Sequence, residues 1–215
     1  MIDFICIGIG GCGQTYFMKY LYEKSISTNS LCDKDRIKHI STPKKLPKEY
    51  KNHKIIYVFN NSFDAICSHY RRNWAVFQMN KINLRKNVCK ISNVEEYFEY
   101  TEKNMNDIFG CEKHFLRFFN NRYKNNIYFV NLDNFNKINL SRFMGVNKSF
   151  FDDFDFDISK RHDYSTLKKK YPFSNIMYKN IDKKIDELAN LYNKNIDKKL
   201  QLKNLTKRIK NIKKL

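Results

Sequence analysis

"FICIGIGGCGQTYFMKYL" (residues 4–21) sets the frame for the whole chain. An apolar, β-rich run meets a glycine cluster, and an amphipathic helical pattern follows at once. This order predicts a strand over Ile2–Gly8, a loop, and a helix from about Thr15 to Lys24. The spacing Gly8-x-x-x-x-Gly13-Gln14-Thr15 is that of a phosphate-binding loop, with glutamine where a nucleotide triphosphatase keeps lysine. Gly10, Gly11 and Gly13 let backbone N–H groups turn inward, and the helix N-terminus adds partial positive charge toward an anion. Thr15 adds a hydroxyl donor. A tight strand-to-helix turn without ligand is the competing reading.

Outward from the loop, two further runs share the pattern of the first. "KIIYVF" (54–59) and "NIYFVNLD" (126–133) are continuous apolar stretches rich in β-branched and aromatic residues, as expected of parallel strands covered on both faces. Helices are expected after Asn60–Ser62 through about Phe77, near Val94–Ile108, over Glu112–Tyr123, and in a short stretch ending at Gly145. A short strand is expected around Arg36–Ser41, with a Pro43/Pro47 loop after it. "FFDDFDFD" (150–157) reads as an acidic, aromatic loop. From about Ile181, apolar residues at 181, 185, 188, 192 and 196 mark a helix packing one face. Alternating strands and helices define the expected class: α/β, a three-layer P-loop-type fold with a central parallel sheet flanked by helices. Residues 1–200 form that domain, and 201–215 a basic amphipathic tail.

Composition narrows the function classes. With 42% hydrophobic and 15% aromatic residues the chain can bury a sizeable core, so wholesale disorder is excluded. No run approaches the roughly 20 apolar residues that span a bilayer. "FICIGIGG" lacks a basic leader and reads as a strand rather than a signal peptide, so a cytoplasmic setting with reduced thiols is expected. The net charge of +19 favours anionic partners, and +12 of it lies from Ser159 onward, where 17 Lys/Arg face 5 Asp/Glu. An AT-rich coding genome is the bland explanation of the same lysines. Leu202, Leu205, Ile209 and Ile212 form a stripe among lysines that suits a membrane surface or a partner helix, against a frayed, solvated terminal helix. Nucleic acid is disfavoured as partner, because it would need an aromatic-studded basic face that the spacing does not show. Cys111 and His114 have ligand-like spacing but no second pair, so no metal is expected.

The stretch 36–74 adds a more specific signal. Lys38, Leu46-Pro47, Lys54-Ile55-Ile56-Tyr57-Val58, Asn61, Asp64, Ser68 and Tyr70 resemble, in order and spacing, the middle of sulfotransferases that use 3′-phosphoadenosine 5′-phosphosulfate (PAPS). In that family a Lys-Thr-His-Leu-Pro run and a Leu-Pro pair precede the strand, and Arg-Asn-Pro-x-Asp-x-x-x-Ser follows it. Gly13, Thr15 and Tyr16 then overlay the family's Lys-Ser-Gly-Thr-Thr-aromatic loop. "NIYFVNLDNF", with Asp133 in the acidic place, and "RFMGV" (142–146) resemble its later elements.

The resemblance implies a transferase moving a sulfuryl group from PAPS to a hydroxyl or amine acceptor, a small molecule or a glycan. Gly10, Gly11, Cys12, Gly13, Gln14, Thr15 and Tyr16 would cradle the 5′-phosphosulfate; Asn60 and Ser68 fall in the 3′-phosphate motif. His39 is the candidate general base, an exposed loop histidine being the alternative. His69 beside Ser68 is expected to point elsewhere, Asp64 to cap or orient its helix, and Trp74 to stack on adenine or pack in the core. Three departures stand out. The family's loop lysine aligns with Gly11, its phosphate-holding arginine with Asn60, and its catalytic histidine with Ile40, one position after His39. An inactive member of the same fold that binds a phosphorylated ligand or glycan is the second reading. A P-loop nucleotide kinase or NTPase with Asp133 beside a metal is the third.

Overall fold

A computed structural model describes residues 2–84, 90–122, 126–156 and 162–212, with side chains described as far as 202. Three parallel strands, β1 (Phe4–Ile7), β2 (Lys54–Phe59) and β3 (Ile127–Asn131), lie in the order β1-β2-β3. Phe4 stands opposite Lys54, and Ile55 opposite Ile127. Because all three run the same way, their carboxyl ends at Ile7, Phe59 and Asn131 meet along one edge, where α/β proteins place their ligands.

Side-chain alternation along each strand builds two cores. Ile5, Ile7, Ile55, Tyr57, Phe59, Ile127 and Phe129 feed one face, which packs on α2 (Ser62–Arg71), α3 (Ala75–Asn83), α4 (Val94–Asn104), α5 (Cys111–Asn120) and α8 (Pro172–Ile212). Phe4, Cys6, Ile56, Val58, Tyr128 and Val130 feed the other, against α1 (Gln14–Glu23) and α6 (Lys137–Met144). Helices therefore cover both faces. A short α7 (Ser165–Lys170) precedes α8.

The two outer edges of the sheet are closed in the same manner. Asn29 accepts from Cys6 N through Oδ1 at 2.7 Å and donates from Nδ2 to Cys6 O at 3.1 Å, outside β1. Asn193 on α8 does the same to Phe129 N and O, at 3.2 and 2.7 Å, outside β3.

Several expectations are revised. Residues 36–41 form turns rather than a strand: Ile40 N donates to Ile37 O, and Gly8 N takes the Lys38 carbonyl at 3.1 Å. The helix expected through Phe77 breaks after Arg71, where Asn73 adopts φ 59° and α3 restarts at Ala75. The cap of α2 is Asn61, whose side chain accepts from Asp64 N at 2.9 Å, while Asp64 pairs with Lys168 at 2.6 Å. As expected, the described part of the acidic, aromatic stretch, 150–156, leaves a 3-10 turn (Lys148–Phe151) as a loop, and it packs Phe151 and Phe154 on Phe17 and Tyr20. Leu205, Ile209 and Ile212 of the basic stripe lie beyond the last described side chain.

Candidate functional site

A cavity of about 310 Å³ opens where the loop after β1 meets the end of α2. Gly10, Gly11, Gly13, Gln14 and Thr15 line one side, and Ser68, His69 and Arg72 the other. Lys38, His39 and Asp33 close it from the loop that precedes β2.

The loop supplies donors without acceptors. Gly13 at φ 85° is the residue from which α1 starts, and no acidic residue stands in the first turn. Among the described residues, the N–H groups of Gly10, Gly11, Gly13, Gln14 and Thr15 donate to no protein acceptor. These are the orphan donors of a helix start extended by the glycines before it, and they favour an anion.

Gly11 explains why the loop carries no lysine there. A Cβ on Gly11 would stand 2.6 Å from Ala65 O and 2.9 Å from Ala65 Cα, and its φ is +72°. The backbone of α2 occupies the place a side chain would need. The cation comes instead from Lys38, whose Nζ lies 2.5 Å from Thr15 Oγ1 and 2.7 Å from Leu31 O. Burial lowers the Lys38 pKa, and nearby Asp33 opposes that shift. Asp33 is itself engaged by Lys81 at 3.2 Å and by Lys38 N at 2.9 Å. A second cation, Arg72, donates from Nε to Ser68 O at 2.9 Å. No other hydrogen bond holds its guanidinium among the described residues, so its terminal amino groups remain for a ligand.

Two buried histidines flank Gly10. A Cβ there would meet His39 Cε1 at 2.8 Å and His69 Cε1 at 3.0 Å. His39 Nδ1 lies 3.0 Å from Gly8 O; a carbonyl only accepts, so Nδ1 carries the proton and Nε2 holds a bare lone pair. Likewise His69 Nε2 donates to Ile9 O at 3.0 Å, leaving Nδ1 as an acceptor without a donor among the described residues. Burial pushes His39 down to about 3 and His69 down to about 4, so both rings are neutral near pH 7.

Seven of the residues expected from sequence thus meet at one cavity: Gly10, Gly11, Gly13, Gln14, Thr15, His39 and Ser68. Gln14 reaches it mainly as scaffold, its Nε2 donating to Cys6 O and Lys38 O at 3.0 and 3.2 Å. Three residues turn away. Cys12 is buried, with Sγ 3.6 Å from Val58 O. Tyr16 donates to Asp155 O at 2.6 Å and packs on Phe154 and Phe156. Asn60 donates to Asp133 at 3.0 Å beside a separate cleft that also holds Asp182. Asp133, the acidic residue of the NTPase reading, thus lines that cleft and not the loop cavity.

Sequence reasoning missed Lys38 as a ligand-facing cation and placed His69 elsewhere. Trp74 lines the cavity and is 51% exposed, so it is not core. His114 offers nothing to a metal, since Nε2 donates to Ile40 O and Nδ1 accepts from Tyr57 Oη at 2.8 Å. No group of three His, Cys, Asp or Glu suited to a metal occurs among the described residues. Among those residues, no helix is long and apolar enough to cross a membrane.

No protein-family model, curated protein or solved structure matches this chain. What the fold and site define is an α/β protein with a cationic, glycine-rich cavity at the carboxyl end of a parallel sheet.

Proposed function

We propose that this chain is a sulfotransferase-like transferase of three-layer P-loop type, taking PAPS as donor and a hydroxyl compound as acceptor. One observation carries the reading: Lys38 and Arg72 enter the same cavity as the loop amides and Ser68. They supply from other positions the two cations that Gly11 and Asn60 lack. The residues fit the anionic ends of the donor by their chemistry, as orphan N–H groups, one buried ammonium and a guanidinium with free amino groups. Residues Gly10–Thr15 with Lys38 would hold the 5′-phosphosulfate, Ser68 with Arg72 the 3′-phosphate, and the exposed Trp74 indole the base. The donor, when bound, supplies an activated sulfuryl group.

His39 then has a defined task. With Nδ1–H fixed on Gly8 O, its Nε2 lone pair accepts the proton of an acceptor hydroxyl at the cavity wall. Burial makes the empty-pocket imidazole a weak base, and an anion beside it raises its proton affinity toward the neutral range. Lys38 and the loop amides stabilise the negative charge that gathers on the leaving phosphate. The expected result is that 3′,5′-bisphosphoadenosine raises the melting temperature and ATP with Mg²⁺ does not. Preference for ATP with Mg²⁺ would overturn the reading. Bisphosphate binding without sulfuryl turnover over a panel of hydroxyl acceptors would reduce it to donor binding alone.

A further inference from the structure

A second cavity, of about 240 Å³, runs along the outer edge of β3 against α8, with the start of α6 as its rim. Its chemistry inverts that of the loop cavity, because α8 directs two carboxylates into it. Asp186 is satisfied: Asn131 Nδ2 donates to one oxygen and Asn190 Nδ2 to the other, both at 3.0 Å. Asp197, three turns further along the same helix, is 4% exposed. Neither of its oxygens has a donor within hydrogen-bonding distance among the described residues, and the Asn139 amide gives at most a long contact. Arg142 and Asn139 face it from α6 and ease its charge, yet burial still lifts its pKa to about 6. A buried carboxylate without a donor costs several kcal/mol unless something donates to it.

We propose that this cavity binds a hydroxyl-rich small molecule of the saccharide class, with Asp197 accepting from its hydroxyls. Three observations choose that occupant over a cation. The chain carries a net charge of +19, and Lys194 lines the cavity, so a free cation is repelled on approach. No group of three His, Cys, Asp or Glu that could hold a metal ion occurs among the described residues. Asparagine amides offer donors and acceptors together, as neighbouring hydroxyls require, and Phe135 and Tyr128 add ring surface for C–H groups. The volume is about eight times the roughly 30 Å³ share of one water, which suits a single ring rather than a chain. The floor is already closed, since Asn193 spends its amide on Phe129.

The test is saturation-transfer NMR on the full chain with methyl glycosides of glucose, galactose and mannose, myo-inositol, and 1,4-diaminobutane as the cationic probe. At least one of the hydroxyl probes should bind, and Asp197→Asn should weaken it tenfold or more. That variant should fold, with a melting temperature at or above the parent's, because it removes an unsatisfied buried charge. Asn139→Ala provides a second, milder loss. Its binding of 3′,5′-bisphosphoadenosine should be unchanged, which separates this site from the loop cavity. Absence of binding by every hydroxyl probe, binding that survives Asp197→Asn, or preference for the diamine would overturn the proposal.

Discussion

The two cavities lie on one sheet, yet cations and helix-start amides dominate one and carboxylates with asparagine amides the other. The loop cavity is made of donors: helix-start amides, an ammonium and a guanidinium, with two imidazoles held neutral. The β3 cavity is made of carboxylates and amides on α8 and the loop after β3. The difference follows from which helix end meets the strand. At β1 the chain enters a helix N-terminus directly, so unsatisfied N–H groups face the space. At β3 the middle of a long helix lies alongside, and only side chains can decide the polarity.

The largest blow to this contrast should come from Gly11→Lys, which places a lysine where the sulfotransferases that the sequence resembles carry one. Because Ala65 backbone atoms already fill that volume, the variant should lose about 3 kcal/mol of stability and all bisphosphate binding, by denaturant melts and calorimetry. A stable variant that binds more tightly would break the account of the loop. Next comes Lys38→Met, which should weaken bisphosphate about 10- to 100-fold, the worth of one charge-assisted contact. Saccharide binding should be untouched.

The smallest effect is in pH, where the two regions pull against each other. His39, His69 and the core residue His114 have folded values lowered to about 3, 4 and 4. The unfolded chain therefore binds more protons, and their contribution, complete above pH 6.5, is lost as pH falls toward those values. Asp182 and Asp197 are raised to about 7 and about 6, so the native state keeps protons and gains stability as pH falls through them. Three histidines against two carboxylates leave a net loss of about 2 kcal/mol between pH 7 and 5. Asp197→Asn should make that loss larger and His69→Asn smaller, in urea titrations at the two pH values.

How much of this was legible from sequence depended on range. The strands at 4–7, 54–59 and 127–131 announced themselves because each is apolar on both faces, a local property. The start of a helix after Asn60–Ser62 and the helix end at Gly145 were local too. The break at Asn73 was hidden because a non-glycine residue takes the left-handed conformation there, with no glycine or proline to mark it. His69 was misplaced because the loop comes to the helix: Ile9 O sits where His69 Nε2 can reach it. Lys38 was visible as a residue but not as a ligand-facing one, since its direction depends on Asp33 and Leu31. Asp197 gave no signal of its burial, for its place on a helix looks like any solvated acid until β3 and α6 close over it.

Asn29 and Asn193 carry one more consequence. A side-chain amide is a peptide group in miniature, so at Cys6 and Phe129 the outer strands already hold the pair of bonds that a further strand would make there, and Ser27 and Thr28 pair with the start of β1. A sheet this narrow, rich in isoleucine, tyrosine and phenylalanine, would otherwise be a template for adding copies of itself edge to edge. Exchanging either asparagine for aspartate would set a carboxylate against a carbonyl oxygen and reopen that edge. In this chain two amides occupy the one backbone position on each outer strand that a further strand would first pair with.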